Sequence, residues 1–153
     1  MPVRIQTDDF EVSREIAALR AGNPAVGAVA SFIGIARDVN AGEAVRTLTL
    51  EHYPGMTEKV LQELIEQAQQ RWNIFDALIV HRIGTLQPQD QIVLVAVTSV
   101  HREDALSACA FIMDFLKTDA PFWKKEGTAH GERWVAARES DGAAAERWKK
   151  SIE

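Results

Sequence analysis

With 153 residues, 46% of them hydrophobic and 25% charged, the sequence has the composition of one soluble globular domain with a sizeable core. Its formal net charge of -5 argues against a nucleic-acid-binding surface, so functional cations must be gathered locally. A single cysteine excludes an internal disulfide and a thiolate zinc site, and no apolar run is long enough to span a membrane. The residues from Met1 to Ile5 carry no signal-peptide pattern, which makes the cytoplasm the expected compartment.

Residues 3–12 read as a short strand with a polar turn at Thr7-Asp8-Asp9. Ser13 is placed to cap a brief helix from Arg14 to Ala21, ended by Gly22 with Pro24 just beyond. Gly22 and Gly27 bracket four residues as in a phosphate loop, but no Lys-Ser or Lys-Thr follows, so that motif is discarded. Ala25 to Ala36 is small and apolar and predicts a buried strand, with a bulge or a close backbone approach at Gly34. Arg37 leaves that strand, and residues 38–42 turn the chain. Val45 to Tyr53 alternates, with Leu48 and Leu50 on one face, and reads as a second strand.

After Pro54-Gly55, Thr57 is expected to cap an amphipathic helix whose stripe is Val60, Leu61, Leu64, Ile65, Ala68 and Trp72. Ile74 to Ile83 and Gln91 to Thr98 form a strand pair around a turn at Pro88. The chain then enters its most informative stretch, Ser99 to Glu126. Ala105, Leu106, Cys109, Ile112, Met113 and Leu116 predict one long helix, N-capped by Ser99 and stopped near Thr118 by Pro121. A hairpin follows, Trp123–Glu126 with Glu132–Ala136. The tail from Glu139 is either a short helix or a loosely held end. No repeat or linker divides the chain, so residues 1–153 are read as one α+β domain.

His101 and Arg102 fall in the first helical turn, where a cation opposes the helix dipole unless an anion sits there too. The alternative, that Arg102 turns back to Asp38 or Glu103, stays open. Lys117 suits the helix C-terminus as a plain capping cation, or it shares a pocket with Lys124 across the Pro121 turn. Arg37 is an ordinary surface charge unless it points where Arg102 points. Cys109 lies on the apolar stripe and reads as a small buried residue. The four histidines, His52, His81, His101 and His130, have no metal-ligand spacing, and most read as surface or strand-end residues. No GxSxG, Walker loop, HExxH or dinucleotide fingerprint is present, so neither a metal nor a cofactor is expected.

Five blocks in register resemble the large, catalytic subunit of molybdopterin synthase. They are Leu48–Lys59 (LTLEHYPGMTEK), His81–Gly84 (HRIG), Thr98–Arg102 (TSVHR), Phe111–Glu126 (FIMDFLKTDAPFWKKE) and Glu132–Asp141 (ERWVAARESD). The resemblance implies a hammerhead-like α/β domain with an antiparallel β subdomain, and a homodimer within a heterotetramer. Its implied partner is a small ubiquitin-like sulfur carrier whose C-terminal Gly-Gly ends in a thiocarboxylate. Its implied substrate is cyclic pyranopterin monophosphate, which receives two sulfurs to form a dithiolene.

By the same resemblance, Lys117 and Lys124 are the catalytic lysines, and Lys124-Lys125-Glu126 contacts substrate. Ile35, Ala36, Arg37, His101 and Arg102 line the substrate pocket, and Arg138 lies near a neighbouring subunit's pocket. Ile35 departs from the pattern, since some members carry a basic residue there. A carrier that brings the sulfur suits a chain without a nucleophilic cysteine. The rival readings are a module that grips the carrier's tail without catalysis and a phosphate-ester hydrolase, which lacks the usual metal ligands or nucleophile. A helix rise of about 1.5 Å per residue puts Lys117 roughly 22 Å from Arg102, so one pocket can hold both only across two chains.

Overall fold

The computed structural model describes residues 2–40, 42–135, 146 and 148. Among them the chain runs β1 (Val3–Gln6), α1 (Val12–Arg20), β2 (Ala28–Ile35), β3 (Val39–Asn40), β4 (Glu43–His52), α2 (Met56–Arg71), β5 (Ile74–Arg82), β6 (Gly84–Leu86), β7 (Gln91–Ser99), α3 (Arg102–Asp119), β8 (Phe122–Thr128) and β9 (Gly131–Val135). The architecture is the α+β type expected.

The first sheet has the order β1-β5-β7-β2, with β1 parallel to β5 and the other pairs antiparallel. β5 and β7 are nearly continuous apolar runs because both of their faces are covered. Ala77, Ile79, Val93, Val95 and Val97 meet α2 and α3 in the main core, while Leu78, Val80, Leu94 and Ala96 meet α1 on the other side. From α2 the core receives Leu61, Leu64, Ile65 and Ala68, and from α3 Ala105, Cys109, Ile112, Met113 and Leu116, as their spacing predicts.

The second sheet, β3-β4-β8-β9 with β6 also paired to β4, is the antiparallel subdomain. The chain crosses between the sheets at Ile83, directly after His81 and Arg82. Gly84 makes that crossing possible at φ +88°, a backbone conformation costly for a residue with a Cβ.

Several expectations are corrected. The apolar strand β2 is not buried but lies at the edge of its sheet, among the described residues paired with β7 alone, and leaves Val29, Phe32 and Ile35 exposed. Its composition reflects packing of Ala30 and Ile33 on opposite faces. Gly34 does mark a bulge, and a Cβ there would stand 2.8 Å from Val93 Cγ1.

Both predicted serine caps and the threonine cap are displaced. α1 starts at Val12 with Glu11 as its N-cap. α2 starts at Met56, with Gly55 as N-cap and Glu58 accepting the Gly55 N–H at 2.9 Å. Thr57 is buried instead, accepting from Tyr53 N–H at 3.0 Å and donating to the Pro121 carbonyl at 3.1 Å. Ser99 ends β7 and donates to the Asn73 carbonyl at 2.8 Å, so His101 becomes the N-cap of α3. Leu106, placed on the apolar stripe, faces outward at 60% exposure.

Candidate functional site

The edge strand β2 separates two candidate anion sites. At its start, Gly27, Ala28, Val100, His101, Arg102 and Glu103 line an open cleft of ≈ 500 Å³. His101 has extended geometry and makes no side-chain capping bond, so it leaves the first N–H groups of α3 uncapped, and Arg102 and Glu103 of that first turn line the cleft. The turn toward Asp38 or Glu103 is not taken: among the described residues Arg102 forms no ion pair.

At the far end of β2, Ala36, Arg37, Asp38, Val39, Gly42, Pro88 and Gln89 line a cleft of ≈ 690 Å³. Ala36 is buried and its backbone is fixed on both sides, its N–H bonded to the Asp90 carbonyl at 2.9 Å and its C=O accepting from Gln89 N–H at 2.8 Å. Gln89 holds φ at +79°, an uncommon value for a non-glycine residue. Arg37 projects from this fixed segment as an exposed cation, and Ile35 precedes it, also exposed.

The strand register shows which groups share an end of the molecule. Ala28 pairs with Ser99, whereas Gly34 pairs with Val93, and Val93 also pairs with His81. His81 in turn stacks on Phe122, with ring centroids 3.8 Å apart and planes 15° from parallel. Phe122, at the start of β8, therefore lies at the end where β2 exits toward Arg37. Lys117, exposed in the last turn of α3, and Lys124, on β8, flank Phe122 in the chain. Arg102 lies at the opposite end, about 20 Å away along the strands.

Lys124 shares a face of β8 with Phe122 and Glu126, and across β4 its partner is the fully buried Leu50, while His52 partners Phe122. Lys125 points to the opposite face, where it pairs with Glu132 at 3.2 Å and lies 5.3 Å from the Trp134 ring centre. Glu126 is buried and accepts from Asn40 Nδ2 at 2.8 Å and Arg133 Nε at 3.3 Å. The run Lys124-Lys125-Glu126 is therefore split between two faces by the pleat. Arg138 lies outside the described residues.

Sequence reasoning passed over His81. Burial pushes its pKa down to about 4, an effect opposed by its bond to the Arg82 carbonyl and reinforced by the charges of Lys124 and His52. His52 Nε2 lies 3.6 Å from Glu58 Oε1. The signal was available in the HRIG block, which ends on the glycine of the sheet crossing. Cys109 is buried as expected, and burial raises its thiol to about 11.

Known proteins match this chain along most of its length. The family described as MoaE protein matches residues 5–119. A molybdopterin synthase catalytic subunit from Ralstonia nicotianae is 60% identical over 146 residues, spanning 95% of this chain and 83% of the relative. The solved molybdopterin biosynthesis MoaE protein from Burkholderia ambifaria is 56% identical with a TM-score of 0.83, covering 96% of this chain and 97% of that one. Molybdopterin synthase from Staphylococcus aureus gives a TM-score of 0.83 at 32% identity, over 89% of this chain and 98% of that one. The chain belongs to the MoaE family, whose relatives bear the name molybdopterin synthase catalytic subunit.

Proposed function

We propose that this chain works as the catalytic subunit of a molybdopterin synthase in the cytoplasm, as one domain, paired with a second copy of itself. Each copy binds a small ubiquitin-like carrier whose C-terminal thiocarboxylate gives up one sulfur and is left as a carboxylate, so two carrier deliveries supply the two sulfurs that cyclic pyranopterin monophosphate receives. The chain's own thiol is no alternative source, because Cys109 is buried and its pKa lies far above neutrality. Among the described residues no helix is long and apolar enough to cross a membrane.

The observation that carries this reading is the distribution of exposed cations about β2. Arg37, Lys117 and Lys124 belong to one end of the first sheet, and His101 with Arg102 to the other. One phosphate cannot reach both ends of a single chain. A second copy related by a twofold axis and set against this side brings the Arg102 end of one chain beside the Arg37 and lysine end of its mate. Such a pocket holds two anions, the pterin phosphate and the thiocarboxylate, among fixed cations. The same cations stabilise charge that develops as sulfur leaves the carrier's acyl carbon.

In this pocket Arg102, His101 and Arg37 bind the phosphate, with the backbone of Ile35 and Ala36 as its floor. Lys117 meets the thiocarboxylate, and Lys124 assists the transfer. Lys125 and Glu126 hold the β8 segment in shape through Glu132, Trp134, Asn40 and Arg133. Arg138 is assigned to the neighbouring copy's pocket by family resemblance. The test is to mix purified chain with thiocarboxylated carrier and the cyclic precursor. Formation of the dithiolene product supports the reading; saturable tail binding without turnover supports a non-catalytic carrier-binding module instead.

A further inference from the structure

Among the described residues, His81 is the buried titratable group near the lysines that the proposed reaction leaves without a task. Its ring is fixed twice. Nδ1 lies 2.7 Å from the Arg82 carbonyl, which only a protonated Nδ1 can satisfy, so the neutral ring keeps its lone pair on Nε2. Its face lies on Phe122 with centroids 3.8 Å apart. Phe122 is two residues before Lys124 on the same face of β8, so whatever seats Phe122 also sets where Lys124 leaves the strand. The preceding residue is held separately, by the Thr57 hydroxyl on the Pro121 carbonyl.

The surroundings favour a neutral ring. From β1 and β7 the register neighbours of His81 are apolar, Ile5 and Val93. Among the described residues the titratable groups that face it are Lys124 from β8 and His52 from β4, and Glu58 of α2 lies against His52 rather than His81. The Arg82 guanidinium is occupied elsewhere, by the carbonyls of Thr7 and Gln91 and by Asp9. A second positive charge at position 81 would repel the lysine from this side.

We propose that His81 is a positioning residue for Lys124, its imidazole seating Phe122 at the crossing between the sheets and giving the lysine a neutral aromatic neighbour. The inference rests on the reading that Lys124 serves sulfur transfer. Its test includes a measurement that does not depend on that reading. The whole assembly with carrier is prepared with His81→Ala, His81→Asn and His81→Phe. Val80→Ala serves as the control, because Val80 is equally buried but faces α1 on the other side of β5.

Steady-state rates give kcat and KM for the pterin. In parallel, acylation of lysines by an amine-reactive ester across pH, read by mass spectrometry, gives the titration midpoint of Lys124. Loss of the ring in His81→Ala or His81→Asn is expected to lower kcat about tenfold or more while KM changes by less than about twofold. In the same two variants the labelling midpoint of Lys124 should move by about half a pH unit or more, with that of Lys117 unchanged. His81→Phe keeps the stack and should stay near the parent on both readouts, and Val80→Ala should lower Tm alone. An unmoved Lys124 midpoint in a folded His81→Asn protein, or an equal kcat loss in Val80→Ala, overturns the proposal. If the parent shows no turnover, the sulfur-transfer reading fails, and the Lys124 midpoint still decides the role of His81.

Discussion

Asn40 donates its side-chain amide to Glu126 Oε1 at 2.8 Å, joining residues 86 apart in the chain. Arg133 Nε reaches the same oxygen at 3.3 Å and another of its nitrogens reaches the Asn40 carbonyl at 3.0 Å, so one buried carboxylate ties β3, β8 and β9 together. Glu126→Ala should cost about 2–3 kcal/mol, because it strands donors that the carboxylate satisfied. Glu126→Gln should cost less, about 1 kcal/mol, since an amide oxygen still accepts. Thermal denaturation of the two variants checks the order. A Tm unchanged in Glu126→Ala would remove the structural role assigned to this residue.

His81 makes stability depend on pH with a definite sign. Burial holds its pKa at about 4 in the folded chain, against an ordinary 6.5, so below pH 6.5 the unfolded chain takes up the proton first. Stability contributed by the neutral ring is complete above about pH 6.5, falls as pH drops, and is lost by about pH 4, a total of about 3 kcal/mol. His81→Phe cannot take up that proton. The difference in unfolding free energy between parent and His81→Phe should therefore slope with pH between 4 and 6.5 and flatten above. A difference that is flat across this window contradicts a buried neutral histidine.

Cys109 should be silent toward thiol reagents in the folded protein. Its sulfur is buried on α3, and its pKa of about 11 leaves almost no thiolate at neutral pH. Reaction with an aromatic disulfide at pH 8 should proceed only as fast as the chain opens, and should accelerate sharply through the denaturant transition. Rapid stoichiometric labelling under native conditions would show the thiol accessible and reopen the question of the sulfur source.

The helices and the two covered strands were legible because their residues follow single periods. The stripe of α2 and the runs of β5 and β7 face continuous core, so hydrophobic spacing maps directly to burial. β2 misled because an apolar edge strand and an apolar buried strand have the same composition; only pairing order separates them. Helix starts slipped because Thr57 and Ser99, good caps by type, are used for tertiary bonds to Pro121 and Asn73. The candidate cations were found by residue type and resemblance. Helix length alone separates Lys117 from Arg102, but that Arg37 and Lys124 fall at the Lys117 end depends on strand register, which no local pattern encodes. His81 escaped notice because a buried histidine and a surface one look alike until the sheet crossing at Gly84 brings Phe122 over it.

That division yields a strict prediction for mixed dimers. Lys117→Ala and Arg102→Ala should each abolish most turnover while leaving Tm nearly unchanged, because both side chains are exposed and exposed charges contribute little to stability. If each pocket takes Lys117 from one copy and Arg102 from the other, a dimer of one Lys117→Ala chain with one Arg102→Ala chain has one intact pocket. Its second pocket lacks both residues. Random exchange of equal amounts makes about half of all dimers mixed, so activity should recover to about a quarter of the parent level. Subunit exchange is verified independently, by mass-tagged chains in native mass spectrometry, and turnover is measured on the same sample. If both residues belonged to one chain's pocket, no mixed dimer could contain an intact site, and activity would stay at the level of the inactive parents. Absence of recovery after verified exchange therefore places Arg102 and Lys117 in separate functions or in one chain's pocket, and defeats the shared site.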